Sequence, residues 1–297
     1  VGQLELISLF TGIIKLGKNN FMASNTQDIL AGLRKWRLEQ DNSGPHRVYR
    51  DQKGNIYTSV THILKETSDQ TGLVRWQERL GPVEATAQRN VAATRGNMAH
   101  SQAEYLLKTS QQLARNTANK RNAISWDSCG LARIPSPITQ WALKKVRPNV
   151  PRVGWSASGY ARGLSDWIVT NVTEIFASEF SIHHPAGFAG TCDGLVCLKG
   201  HSGIIVADWK TTVNRKQLDD GHSYVHQLGA YSLGLQHLTG LRPSGGVIVL
   251  ARRCGPPQQH FLGDTELRAA EDAYLARVVR YFQDLENPFK ASTCGLG

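Results

Sequence analysis

The sequence predicts a mixed α/β core carrying a helical N-terminal half and a helical insertion. Three observations lead there: helical apolar spacing dominates up to about residue 108, strand-like runs crowd between 174 and 209, and a helix, a strand and a helix follow. At 297 residues, 40% of them apolar, the chain is long enough to bury a sizeable core.

Residues 1–21 read as an extension or mobile arm. Leu6 to Ile14 is apolar but too short to span a bilayer, and no basic leader precedes it. Met22 begins a more conventional stretch. Asn25 or Thr26 is placed to cap a helix whose Ile29, Leu30, Leu33 and Trp36 share a face. Residues 47–58 read as a hairpin turning at Lys53-Gly54-Asn55. Ser59 is placed to cap a short helix through Ile63 and Leu64, and a second helix carries Leu73, Trp76 and Leu80. Val83 to about Lys108 is helical, weakened near Gly96. Pro135, Pro137, Pro148 and Pro151 break the next segment into short pieces.

Strands are expected at Glu174 to Ile182, Gly190 to Leu198 and Gly203 to Trp209. A helix from about Asp219 to Leu238 stops at Gly240. Gly246 to Ala251 is a buried-type strand, and an amphipathic helix over Asp264 to Leu285 closes the pattern. No linker divides 22–297, which is therefore read as one domain with 110–165 inserted. No segment has the length and apolarity to cross a membrane.

The net charge is +10, which favours an acidic partner, nucleic acid first among them. Residues 110–165 hold most of the excess: Arg115, Lys120, Arg121, Arg133, Lys144, Lys145, Arg147, Arg152 and Arg162 stand against Asp127 alone. Trp126, Trp141, Trp155 and Tyr160 are interleaved with them. Cations can track a phosphate backbone while aromatic faces stack on unpaired bases. A solvated helical insert anchored by its tryptophans fits the same residues equally well. Of this segment, Arg121, Lys144, Lys145, Arg147, Arg152, Trp155, Tyr160 and Arg162 are the DNA-binding candidates. Five cysteines without a C-x-x-C pair suggest a reducing interior, and neither a disulfide framework nor an iron–sulfur cluster is expected.

The chemistry-bearing residues lie further on. Asp193 sits in Gly190-Thr191-Cys192-Asp193-Gly194, at the start of one expected strand, and Asp208-Trp209-Lys210-Thr211-Thr212 ends the next. If these strands are hairpin neighbours, the two carboxylates converge, and Asp208 and Lys210 leave one face together. Two such carboxylates suit Mg²⁺ or Mn²⁺, which activates a water for attack on phosphorus. Lys210 could steer that water or offset developing charge. Asp51-Gln52-Lys53 has the same spacing but precedes a Gly-Asn turn and reads as solvated surface. His100 and Glu104 lie four apart on one helix face, so His100 could complete the metal shell and Glu104 bind the ion or orient His100. Gln227 and Tyr231, also four apart, could hold a phosphate or base.

Together these motifs resemble the RecB-like branch of the PD-(D/E)XK nuclease superfamily. A narrower resemblance is to the mitochondrial genome maintenance exonucleases and their phage-type relatives. It rests on Ser59-Val60-Thr61-x-Ile63-Leu64, Arg75-Trp76-Gln77, Gly96 with His100 and Glu104, Ser158-Gly159-Tyr160, Glu179 and Asp208-Trp209-Lys210-Thr211, in order from about 57 to 235. The resemblance implies a restriction-endonuclease-like core, a central mixed sheet flanked by helices. It also implies divalent-metal hydrolysis of DNA, with Asp193, Asp208, His100 and the Trp209 carbonyl near the metal and Lys210 catalytic. Glu104, Gln227 and Tyr231 fall on the remaining motif positions.

The expected function is a DNA exonuclease acting on single strands or free ends in recombination, repair or replication. Single-strand-binding or recombination proteins are conceivable partners, in the cytoplasm of a bacterial or phage-infected cell. The first 21 residues contain no arginine, so mitochondrial targeting does not carry over. A double-strand-specific exonuclease, an endonuclease of the same fold and a non-catalytic DNA-binding module are the alternatives.

Overall fold

The computed structural model describes residues 38–286 together with Leu30 and Leu33. The arm expected at 1–21 and most of the first helix lie outside the described residues, but Leu30 and Leu33 are both buried in the core. The described chain begins with strands β1 (Glu39–Asp41), β2 (Val48–Arg50) and β3 (Ile56–Ser59). Helices α1 (Val60–Glu66), α2 (Thr71–Leu80) and α3 (Pro82–Lys120) follow. A small hairpin, β4 (Ser125–Trp126) and β5 (Ala132–Arg133), leads to α4 (Ser136–Val146) and α5 (Trp155–Asn171). The main strands are β6 (Val172–His184), β7 (Phe188–Leu198) and β8 (Ile205–Thr211), then α6 (Ser223–Thr239), β9 (Gly245–Ala251), β10 (Gln258–Leu262) and α7 (Asp264–Glu286).

The expected mixed sheet flanked by helices is what forms. Its order is β1-β2-β3-β7-β8-β9-β10, with β6 also on β7. The β3–β7 and β8–β9 pairs are parallel and the others antiparallel. Period-two alternation builds the two layers. Val247, Val249 and Ala251 of β9 join the cluster formed with α3, α4 and α5, while Ile248 and Leu250 join the one formed with α1, α6 and α7. Helices α6 and α7 cross closely at Gly229, where a Cβ would stand 2.4 Å from the Ala270 carbonyl carbon.

Several expectations change. The hairpin at 47–58 forms, but Asp51 is not solvated: it is buried, and its carboxylate holds the turn. Ser59 takes the cap position of α1 without capping it, because its hydroxyl bonds Thr61 Oγ1 instead. Helix α3 passes Gly96 unbroken and runs twelve residues beyond Lys108. Its later turns bury Ser110, Ala114 and Ala118 against α4, and small residues carry little apolar signal to read. Residues 155–165 belong to α5, a core helix rather than an insertion. Helix α6 begins at Ser223, later than expected, because the His222 ring accepts a hydrogen bond from the Tyr224 amide. Gly240 ends it in the left-handed conformation at φ +71. Strands β1, β4, β5 and β10 were not legible in the sequence; four of them span five residues or fewer each. Among the described residues no helix is long and apolar enough to cross a membrane.

Candidate active site

Strand β7 has two edges to pair. β6 runs along one of them through the whole strand, so β3 and β8 must share the other. β3 takes Phe188 and Ala189; β8 takes Gly194 to Val196. Residues 190–193 between them have no partner on that edge, and the sheet carries a notch there. Asp193 therefore stands within β7 rather than at its start. A cleft of about 450 Å³ opens over the notch. Gly190 lets its walls close in, since a Cβ there would lie 3.0 Å from Tyr231 Cε1 and 3.2 Å from Val60 Cγ2.

The β7–β8 register places Asp208 next after the Gly194–Ala207 pair, opposite Asp193. Asp193 Oδ2 accepts from the Trp209 amide at 2.6 Å, which replaces a ladder bond and lets β8 diverge. The other oxygen, Oδ1, lies 3.3 Å from His100 Nδ1 on α3. Glu179 approaches the same imidazole to 3.9 Å. His100, Glu179 and Asp193 each offer a donor atom, all within 4.8 Å of one another. Glu179 holds φ +48, a left-handed conformation that costs roughly 1–2 kcal/mol for a residue with a Cβ. The sequence offers Glu179 as one residue of the family resemblance, without a site role, at an irregular position in a strand.

Asp208 is 1% exposed, and its Oδ1 accepts no hydrogen bond within the protein. The Lys210 ammonium is ion-paired to Oδ2. A buried carboxylate with one oxygen left unsatisfied is costly and calls for a further partner. Burial, opposed by Lys210 and reinforced by Asp193, pushes Asp208 up to about 6. Burial pulls the Lys210 amine down, but Asp208 outweighs it and the ammonium is held above its usual range. Burial also pulls His100 down, yet the Asp193 charge more than offsets this and raises it to about 9. Asp193 is lowered despite its burial, because His100 stabilises the carboxylate. Burial and the Asp193 charge push Glu179 up to about 8. At neutral pH, His100 and Glu179 thus both carry protons.

Other expected site residues divide. Gln227 and Tyr231 reach the cleft from α6, on the opposite layer from His100, and Gln227 Nε2 donates to the Tyr231 hydroxyl. Tyr231 keeps its phenolic proton, since burial raises it well above 10. Glu104 lines the cleft but pairs with Lys108 at 2.5 Å, and Glu179 takes the place beside His100. Arg47, from the β1–β2 hairpin, lines the cleft as well, and nothing in its sequence context singles it out.

The basic segment does not gather at the notch. Arg121 follows His100 by twenty-one residues on one straight element, so it stands about 30 Å away at 1.5 Å per residue. Lys144 and Lys145 are exposed on the last turn of α4. Arg147 is paired with Asp166 at 2.8 Å. Tyr160 is 3% exposed, buried under Arg95, and offers no face for stacking. Arg152, Trp155 and Arg162 are exposed.

A family model for the PD-(D/E)XK nuclease superfamily matches residues 73–293, about three quarters of the chain. The chain belongs to this superfamily. One solved structure, described as the crystal structure of SSO0001, is 16% identical over 59% of this chain and 74% of that chain, with a TM-score of 0.24, too distant to carry an argument. No curated protein matches.

Nucleases of this superfamily use divalent metals and act on nucleic acid. The donors here fit such an ion. A histidine and two carboxylates converge, Asp208 Oδ1 is buried without a hydrogen bond, and the protons on His100 and Glu179 mark where positive charge is wanted.

Proposed function

We propose that this nuclease is a divalent-metal-dependent DNA exonuclease of the RecB-like branch, related to the mitochondrial genome maintenance exonucleases and their phage-type relatives. It prefers single strands or free ends and serves recombination, repair or replication in the cytoplasm, alongside single-strand-binding or recombination proteins. The observation that carries the catalytic reading is Asp208, a fully buried carboxylate whose Oδ1 has no hydrogen bond, opposite Asp193 and ion-paired through Oδ2 to Lys210.

His100, Asp193, Asp208 and the Trp209 carbonyl would hold Mg²⁺ or Mn²⁺, and Glu179 would join them. Such an ion polarises phosphate oxygen and acidifies water. The chain's own groups do the rest. Asp208 fixes the Lys210 ammonium at the notch, where it offsets charge developing on phosphate. The Trp209 amide holds Asp193 in its rotamer. Tyr231 accepts from Gln227 and keeps its own hydroxyl proton to donate to phosphate or base. Glu104, which lines the cleft, is ion-paired with Lys108.

The test is digestion of linear single-stranded, linear double-stranded and closed circular single-stranded DNA with Mg²⁺ or Mn²⁺. Release of nucleotides from linear single strands, with circles spared, is expected. Equal cutting of circles and linear strands would make the protein an endonuclease of the same fold.

A further inference from the structure

Strands β8 and β9 are parallel, with Thr211 opposite Ala251, and the Thr212 amide donates to the Ala251 carbonyl at 2.9 Å. Their carboxyl ends form one edge, the side on which α/β sheets gather ligands. Thr211 follows Lys210 on β8 at that edge. Thr211 Oγ1 accepts from Arg95 Nε at 3.5 Å, and the Arg95 guanidinium lies 4.7 Å from the centre of the Tyr160 ring. The neighbouring Gly159 admits the loop after β9, since a Cβ there would stand 2.1 Å from the Arg253 carbonyl oxygen. One turn earlier on α5, Trp155 is 79% exposed, and the Arg253 guanidinium sits 4.5 Å from the centre of its ring. Neither Arg95 nor Arg253 has a carboxylate partner among the described residues. A chain of contacts thus joins Thr211, the residue after Lys210 on β8, to an exposed indole through two cations without carboxylate partners among the described residues.

We infer that this ridge is a track for single-stranded nucleic acid, with backbone phosphates on Arg95 and Arg253 and an unpaired base stacked on Trp155. The inference rests on the nuclease reading of the notch and gives it a strand-binding subsite. A duplex could meet the cations, but its bases are already stacked on each other and leave the indole unused. A single strand satisfies both halves of the ridge.

The test is anisotropy of a fluorescent oligothymidylate bound to the full chain in EDTA, which separates binding from cleavage. Trp155→Ala should weaken binding about tenfold, the loss of one stacked base, whereas Trp155→Phe should retain most of the affinity. Arg253→Ala should weaken binding and reduce the slope of log K against log salt by about 0.7, one phosphate contact on a single strand. Lys199→Ala, at the opposite end of the sheet, should bind as wild type does. Unchanged binding in both Trp155→Ala and Arg253→Ala would overturn the track, as would an equal loss in Lys199→Ala. A Trp155→Phe variant as weak as Trp155→Ala would overturn the stacking. Failure of the nuclease reading would show separately, as wild-type protein that binds the oligonucleotide but releases no nucleotides with added metal.

Discussion

Asp51-Gln52-Lys53 and Asp208-Trp209-Lys210 have the same Asp-x-Lys spacing, both adjoin a strand of the same sheet, and both bury the aspartate. Their surroundings are opposite. The Asp51 carboxylate accepts from the Lys53 and Asn55 amides, the Asn55 side chain and the Tyr57 hydroxyl. These bonds, the Asn55 side chain foremost, hold Asp51 below its usual range despite some desolvation. Asp208 has the Lys210 ammonium on Oδ2 and no donor on Oδ1, and is raised to about 6. Asp51 spends its lone pairs on a turn, while Asp208 keeps Oδ1 for something the chain does not supply. Burial alone therefore does not separate a structural carboxylate from a reactive one; the satisfaction of its oxygens does.

The sharpest way to break this comparison is to remove each aspartate. Asp208→Ala should lower metal-dependent DNA hydrolysis by about 10³-fold, while Asp51→Ala should leave the rate untouched and lower Tm. Initial-rate assays beside thermal melts decide it, and an active Asp208→Ala protein would end the assignment. The lysines come next. Lys210→Met should cost about 10²-fold in kcat, whereas exposed Lys53→Ala should cost nothing.

Metal affinity distinguishes the notch from the Asp51 turn more finely. Glu179→Gln or His100→Ala should weaken Mn²⁺ binding about 10- to 100-fold by calorimetry, with no comparable loss in Asp51→Ala. Because His100 at about 9 and Glu179 at about 8 must release protons to bind metal, wild-type affinity should rise between pH 7 and 9. A flat profile would show that these groups are not ligands.

The smallest expected effect lies in the pH dependence of stability without metal. Asp208 has its folded pKa raised above the unfolded value of 3.8, so the folded state binds more protons between pH 4 and 6 and stability falls as pH rises through that window. Asp208→Asn should remove a slope worth about 3 kcal/mol at most. Asp51 has the opposite sign: its contribution is full above 3.8 and is lost as pH falls through its lowered folded value. Denaturant melts across pH 3–7 should therefore show the two variants diverging from wild type in different pH ranges.

A second contrast runs along α3. The far part of the basic segment, with Arg121, lies about 30 Å from His100. The near part returns beside the site: the Gln102 side chain donates to the Pro151 carbonyl, Gly154 meets Met98, and Tyr160 lies under Arg95. Charge density along a sequence marked the whole segment, yet helix length decided which end reaches the notch.

The sequence by itself determined the layers, the four main strands, the stop at Gly240, and Asp193, Asp208 and Lys210 as candidates. Those features follow from local rules of period, chirality and spacing between neighbouring strands. Tertiary structure alone decided the notch, because it exists only where β3 and β8 divide one edge of β7. Through that gap His100 from one helical layer and Gln227 and Tyr231 from the other line a single cleft. Glu179 joins them through a left-handed backbone that no periodicity announces. Tyr160 is withdrawn because Arg95 covers it. Local propensity fixes what each segment becomes; which side chains remain unsatisfied at one point depends on how distant segments exclude water together.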